Sequence, residues 1–191
     1  MDSKFFNLIR PLTNYIDSGR FFSQPLQCIY YVFGILCLLI PFYVIYELAD
    51  WGFFSYANGK ELLSFFVVII GLLGVCILCF LLWFNRAEKL STLLSPNSKF
   101  VAVPAVANLI QTGGEVFGIF MGVFGFYCSL FYLLLDTRFF FIPNDIYHLG
   151  IMGVIVMPIF GYVIVVGSRY LAELVLSIAD IANNTDKIAN K

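Results

Sequence analysis

Charge is what this sequence has least of. Asp, Glu, Lys and Arg make up 12 % of its 191 residues, against roughly 25 % in a typical soluble domain. Together with a 61 % share of hydrophobic residues, so little charge excludes both a soluble globule and a disordered chain. The two signs also nearly cancel, with 11 basic and 12 acidic side chains and a formal net charge of −1. That balance excludes the basic field that nucleic-acid binding needs, so no direct nucleic-acid partner is expected. There is a single histidine, His148; standing near Asp145, it reads as an interfacial or capping residue and not as part of a metal site. No Gly-rich phosphate loop, nucleophile elbow, H-E-x-x-H or paired catalytic carboxylates appear, and a non-enzymatic protein without cofactor or metal is expected. Cysteine is missing from every stretch outside the long apolar runs. Cys76 and Cys79 form a C-x-x-C, the spacing of a redox pair, but all five cysteines lie in long apolar runs, and thiols in apolar surroundings react poorly. Cys28, Cys37, Cys76, Cys79 and Cys128 are therefore read as small packing residues.

What is present is apolar. Hydrophobic residues reach 61 %, with 22 Phe and 11 Tyr, and the mean hydropathy is +0.91. A bilayer core about 30 Å thick takes roughly 20 apolar residues in a helix. Uncharged runs cover 21–46, 62–85, 116–135 and 146–168, of 26, 24, 20 and 23 residues. None alternates in polarity as barrel strands do. The fold class expected is an all-α membrane protein with four transmembrane helices, at about 26–46, 62–85, 114–135 and 147–168. Residues 1–25 form a tail before this domain and 169–191 a tail after it. Lys and Arg along the five connecting segments count 3, 1, 3, 1 and 3. By the positive-inside rule, both termini and the middle loop face the cytoplasm. Span one reads as an uncleaved signal anchor. The bilayer is a partner by construction.

The segments between spans carry their own signals. Residues 11–18 read as an interfacial helix, with Pro11 at its first turn and Gly19 at its end. Ser95-Pro96-Asn97 marks a turn. The uncharged stretch 100–112 either packs as a separate helix before span three or extends that span inward. Trp51, Phe53, Phe54 and Tyr56, and on the far loop Phe139, Phe140, Phe141 and Tyr147, read as interfacial aromatic belts.

Three sets of residues are candidate sites. Gly114, Gly118 and Gly122, with Gly125, line one face of span three at small-xxx-small spacing, which lets helices approach closely, either within the chain or between subunits of a homo-oligomer. Glu115 and Arg169 begin and end their spans on the same side. A guanidinium at membrane depth needs a carboxylate, so Arg169 is expected to pair with Glu115 or with Glu173 one turn on. Leu171, Leu174, Ile178 and Ile181 follow an a/d-like spacing on an amphipathic continuation of span four, for self-association, a cytoplasmic protein partner or packing on the middle loop. Pro158 is expected to kink span four.

The run SRYLAELVLSIADIANN (168–184) resembles the ending of a family of small, uncharacterised bacterial membrane proteins, in which a membrane helix leaves through an Arg, a Glu four residues on, an apolar stretch and an Asn. The resemblance implies a bacterial inner membrane. In architecture the chain is similar to the four-span membrane subunit of the Kiwa antiphage system, which stands beside a soluble effector. A self-associating membrane sensor or anchor subunit is the expectation from these features. The alternatives are an oligomeric pore, for which span three offers only Gln111, Thr112, Tyr127 and Ser129, and an immunity protein against a pore-forming toxin.

Overall fold

In hydrocarbon a backbone N–H or C=O finds no water, so an uncharged run of this length satisfies its polar groups internally as a helix. The computed structural model describes residues 20–93, 102–135 and 150–189. The expected helix over 11–18, the turn at 95–97, His148 and the far-loop aromatics lie outside them. Almost every described residue is helical. Helix α1 is Arg20–Asp50, α2 is the short Phe53–Tyr56, and α3 is Gly59–Leu93. The third span is one continuous rod: α4, Ala102–Ile119, a π-helical turn at Phe120–Phe124, and α5, Gly125–Leu135. Helix α6 is Ile151–Ala189. Four of these rods are long and apolar enough to cross a membrane. The protein is an all-helical membrane protein with four candidate spans.

Each rod outruns the bilayer. At about 1.5 Å per residue, the 39 residues of α6 measure roughly 58 Å. The first helix starts at Arg20, several residues before the expected beginning of span one, and carries Pro25 and Pro41 inside it. Stretch 102–112 continues into span three, so the one-long-helix alternative describes it.

The rods pack in chain order. Helix α1 lies on α3, α3 touches α4 and α5, and the α4–α5 rod lies along α6. Between α1 and α6 there is no comparable interface. The core sits in the middle of this row. Phe65, Val68, Leu72, Cys76 and Cys79 of α3 close on Leu48 of α1 and on Phe124 and Cys128 of the third rod. The buried cysteines thus serve as small core residues, and the described cysteines are free thiols. Large apolar side chains cover the outer faces, as on Ile70, Phe42 and Ile159. That suits lipid, where their exposure costs nothing.

The expected belt around Trp51 needs one correction. Phe53 is only 4 % exposed and packs with Leu48 and Phe65 in the core. Gly52 takes φ +71°, a left-handed conformation natural to glycine. It turns the chain so that α2 folds back over the end of α3. Trp51, Phe54 and Tyr56 stay exposed.

A cross-rod hydrogen bond holds the core together. The Tyr127 hydroxyl donates to the Val67 carbonyl at 2.9 Å. An i→i−4 helical bond already occupies that carbonyl, so Tyr127 uses its second lone pair. Tyr127→Phe is expected to cost about 1 kcal/mol, read as a lower thermal midpoint in detergent; an unchanged midpoint would show that the bond is not made.

Candidate functional site

Arg86, Glu115 and Arg169 are each the charge that terminates a long uncharged run, on α3, α4 and α6. Because the three rods pack side by side, these ends come to one level. The Glu115 side chain is 5 % exposed, so its charge needs partners. Arg86 Nη2 donates to both carboxylate oxygens, at 2.7 and 2.6 Å. Arg169 donates to Oε1 through Nε and Nη2, at 3.0 and 2.9 Å. Gln111, one turn before Glu115, adds Nε2 to Oε1 at 3.0 Å. One carboxylate thus joins three helices. Arg86 is nearly enclosed, with 19 % of its side chain exposed, and Arg169 keeps 56 %. The ring of donors positions the carboxylate and takes up its lone pairs, which makes it a clamp.

Of the two partners expected for Arg169, the structure brings Glu115 to it. Glu173 is exposed and stands apart from the cluster. Arg86 was missed by sequence reasoning, although the available signal was simple: it is the first charge after span two, as Arg169 is after span four.

Polar groups accumulate around the clamp. Thr112 donates to the Asn108 carbonyl at 2.7 Å. Gln27 of α1 donates to the Ala87 carbonyl at 3.2 Å, tying α1 to α3 at this end. Tyr30 meets Trp83 edge-on with ring centroids 4.9 Å apart. The Tyr30 hydroxyl, Trp83 Nε1 and Asn108 Nδ2 are buried without a partner at hydrogen-bonding geometry. None of these three was singled out from sequence.

The glycine face of the third rod meets α6 of the same chain. Gly122 lies against Gly161, where a Cβ added to Gly122 would sit 3.2 Å from the Gly161 Cα. A Cβ on Gly118 would sit 2.5 Å from Val165 Cγ2, and one on Gly125 would sit 3.0 Å from Met157 Cγ. At Gly114 it would overlap the Ser168 side chain. Of the two uses expected for the stripe, the structure shows close approach within the chain. The π turn at Phe120–Phe124 falls inside this crossing. Sequence reading gave no sign of it. Pro158 lies within an uninterrupted α6 and borders the same crossing.

The tail of α6 divides into two faces. Ala172 is buried, and Val175 and Ala179 are half-buried toward α4, opposite Val103. Leu171, Leu174, Ile178 and Ile181 are 53, 41, 59 and 66 % exposed. The large residues of the a/d stripe are therefore mostly exposed, with Ile178 at the edge of the groove that Val103, Val175 and Ala179 line. No group of three His, Cys, Asp or Glu able to hold a metal occurs among the described residues. The chain matches no family model, curated protein or solved structure with which it was compared.

Proposed function

We propose that this is a non-enzymatic membrane subunit, with both termini in the cytoplasm of a bacterial cell, which self-associates and anchors a cytoplasmic protein partner. The observation that carries the reading is the tail of α6. Residues 169–189 continue the helix beyond the Glu115 clamp, by roughly 30 Å at 1.5 Å per residue. Leu171 and Leu174 stand within the headgroup layer next to the clamp, while Ile178 and Ile181 reach roughly 13 and 18 Å beyond Arg169, outside the hydrocarbon. A row of large apolar side chains in water favours a protein surface over solvent. The charge pattern of the connecting segments supports a cytoplasmic side for this tail. Because the glycine face is filled by α6, self-association runs through the tail stripe and not through the glycines.

The pore alternative needs a polar stripe on an open helix face. Thr112 and Ser129 are instead buried among the chain's own helices. Antiphage defence is the setting suggested by analogy with the four-span membrane subunit of the Kiwa system. The double substitution Ile178→Glu and Ile181→Glu tests the reading, since both positions are exposed and the spans are untouched. Native mass measurement in nanodiscs should show oligomers of the unaltered protein reduced to monomers, and a soluble protein that co-purifies from the native host should be lost. Unchanged oligomer mass together with unchanged co-purification would remove the tail from the function.

A further inference from the structure

On the side of the clamp away from the apolar runs, α3, α4 and α6 border a crevice of about 480 Å³. Its charged lining consists of Arg86 and Lys89, and its other polar lining of Asn108 and Gln111; Ala172 and Leu176 of α6 form part of its apolar wall. No carboxylate lines it. The nearest acid, Glu115, is held by Arg86, Arg169 and Gln111. Glu88 and Glu173 are exposed and are not part of the lining. The charged side chains that line the crevice are therefore both basic. Asn108 is 5 % exposed, and its Nδ2 has no partner. A buried amide N–H without an acceptor is costly, and an acceptor supplied from outside removes that cost.

Depth identifies the source of the acceptor. Lys89 stands three residues beyond Arg86, and Asn108 seven residues outside Glu115. At about 1.5 Å per residue these are roughly 5 and 10 Å beyond the end of the apolar belt. Bilayer headgroups occupy about 5–8 Å on each side of the hydrocarbon. Measured this way, the crevice starts at the inner edge of the headgroup layer, at Arg86, and reaches just past its outer edge at Asn108; its charged lining is basic, its other polar lining is amide, and its wall is aliphatic carbon. Basic pockets between membrane helices at this level suit phosphate-bearing headgroups.

We propose that this crevice binds the phosphodiester headgroup of an anionic membrane lipid. Arg86 and Lys89 supply the charge, and Asn108 supplies an N–H to a phosphate or glycerol oxygen. The site depends on the membrane fold and not on the tail's partner, so it stands or falls separately from the proposed function.

The test uses the full chain in nanodiscs of phosphatidylcholine, with and without phosphatidylglycerol, read by native mass spectrometry. The expected result is retention of one phosphatidylglycerol per chain in preference to phosphatidylcholine. Lys89 is exposed, so Lys89→Gln should leave the fold intact, as far-UV circular dichroism will show. It should weaken retention about tenfold, as expected for one charge-assisted hydrogen bond, and Lys89→Glu should weaken it further. Lys60→Gln, at the other end of α3, should change nothing. Equal retention of the two lipids, or retention by Lys89→Glu equal to that of the unaltered chain, would overturn the proposal. Displacement of the lipid by an equal concentration of inorganic phosphate would also overturn it, by assigning the site to a soluble phosphate compound.

Discussion

Glu115→Gln is expected to destabilise the spans by about 3 kcal/mol, at the lower end of the cost of breaking a buried ion pair. Gln keeps the shape and one acceptor, but it leaves Arg86 and Arg169 facing each other with no negative charge between them. The lower end applies because Arg169, with 56 % of its side chain exposed, can turn to water. Arg86, at 19 %, cannot do so as freely. For a chain of this size the loss corresponds to a fall of roughly 6–12 °C in thermal midpoint. Arg86→Gln should cost more than Arg169→Gln. The double variant Glu115→Gln with Arg86→Gln should cost less than the sum of its parts, because one change removes the repulsion created by the other. Thermal unfolding in one detergent measures all four proteins. Strict additivity would mean that the two side chains do not interact.

Gly161→Leu is expected to force the third rod and α6 apart. Even a Cβ at this position would lie 2.5 Å from both the Gly118 carbonyl oxygen and the Gly122 Cα. Both are backbone atoms, so no rotamer change relieves the clash. Gly161→Ala already falls in the overpacking range of about 1–3 kcal/mol, more than offsetting the roughly 1 kcal/mol that Ala gains over Gly in a helix. Leu adds three further carbons to the same space, and the α4–α6 interface should be lost. Gly74 and Gly113 have open space where a Cβ would go. Gly74→Ala and Gly113→Ala should therefore be neutral or slightly stabilising. Thermal midpoints of the four variants decide the matter. If Gly161→Ala melted like Gly113→Ala, the tight crossing would not exist.

The spans were legible because lipid imposes one rule, long uncharged helices, and the sequence obeys it four times. The glycine spacing on span three was legible for a related reason, since only small residues permit backbones to approach. Its partner was not, because spacing on one helix does not say which helix fills the groove. Arg86 is not legible as a partner of Glu115, because the convergence of three rods is a property of packing and not of spacing along the chain. Phe53 was misplaced for the opposite reason: an aromatic beside a span end reads as interfacial until the left-handed turn at Gly52 is known. The a/d spacing of the tail picked out its large residues, but α4 approaches over Ala172, Val175 and Ala179, and the stripe is left outward. The π turn at Phe120–Phe124 has no signature in hydropathy, since a change of helical hydrogen bonding leaves composition untouched.

In the proposed topology the chain crosses the bilayer four times and returns its α6 tail to the side from which it started. Single cysteines at position 58, between the first two spans, and at position 188, in the tail, test this in intact cells with a membrane-impermeant maleimide, in a background with the native thiols replaced by Ala. Under this topology Asn58→Cys is labelled in intact cells, and Ile188→Cys is labelled only after the membrane is opened. Labelling of both positions, or of Ile188→Cys alone, in intact cells would contradict it.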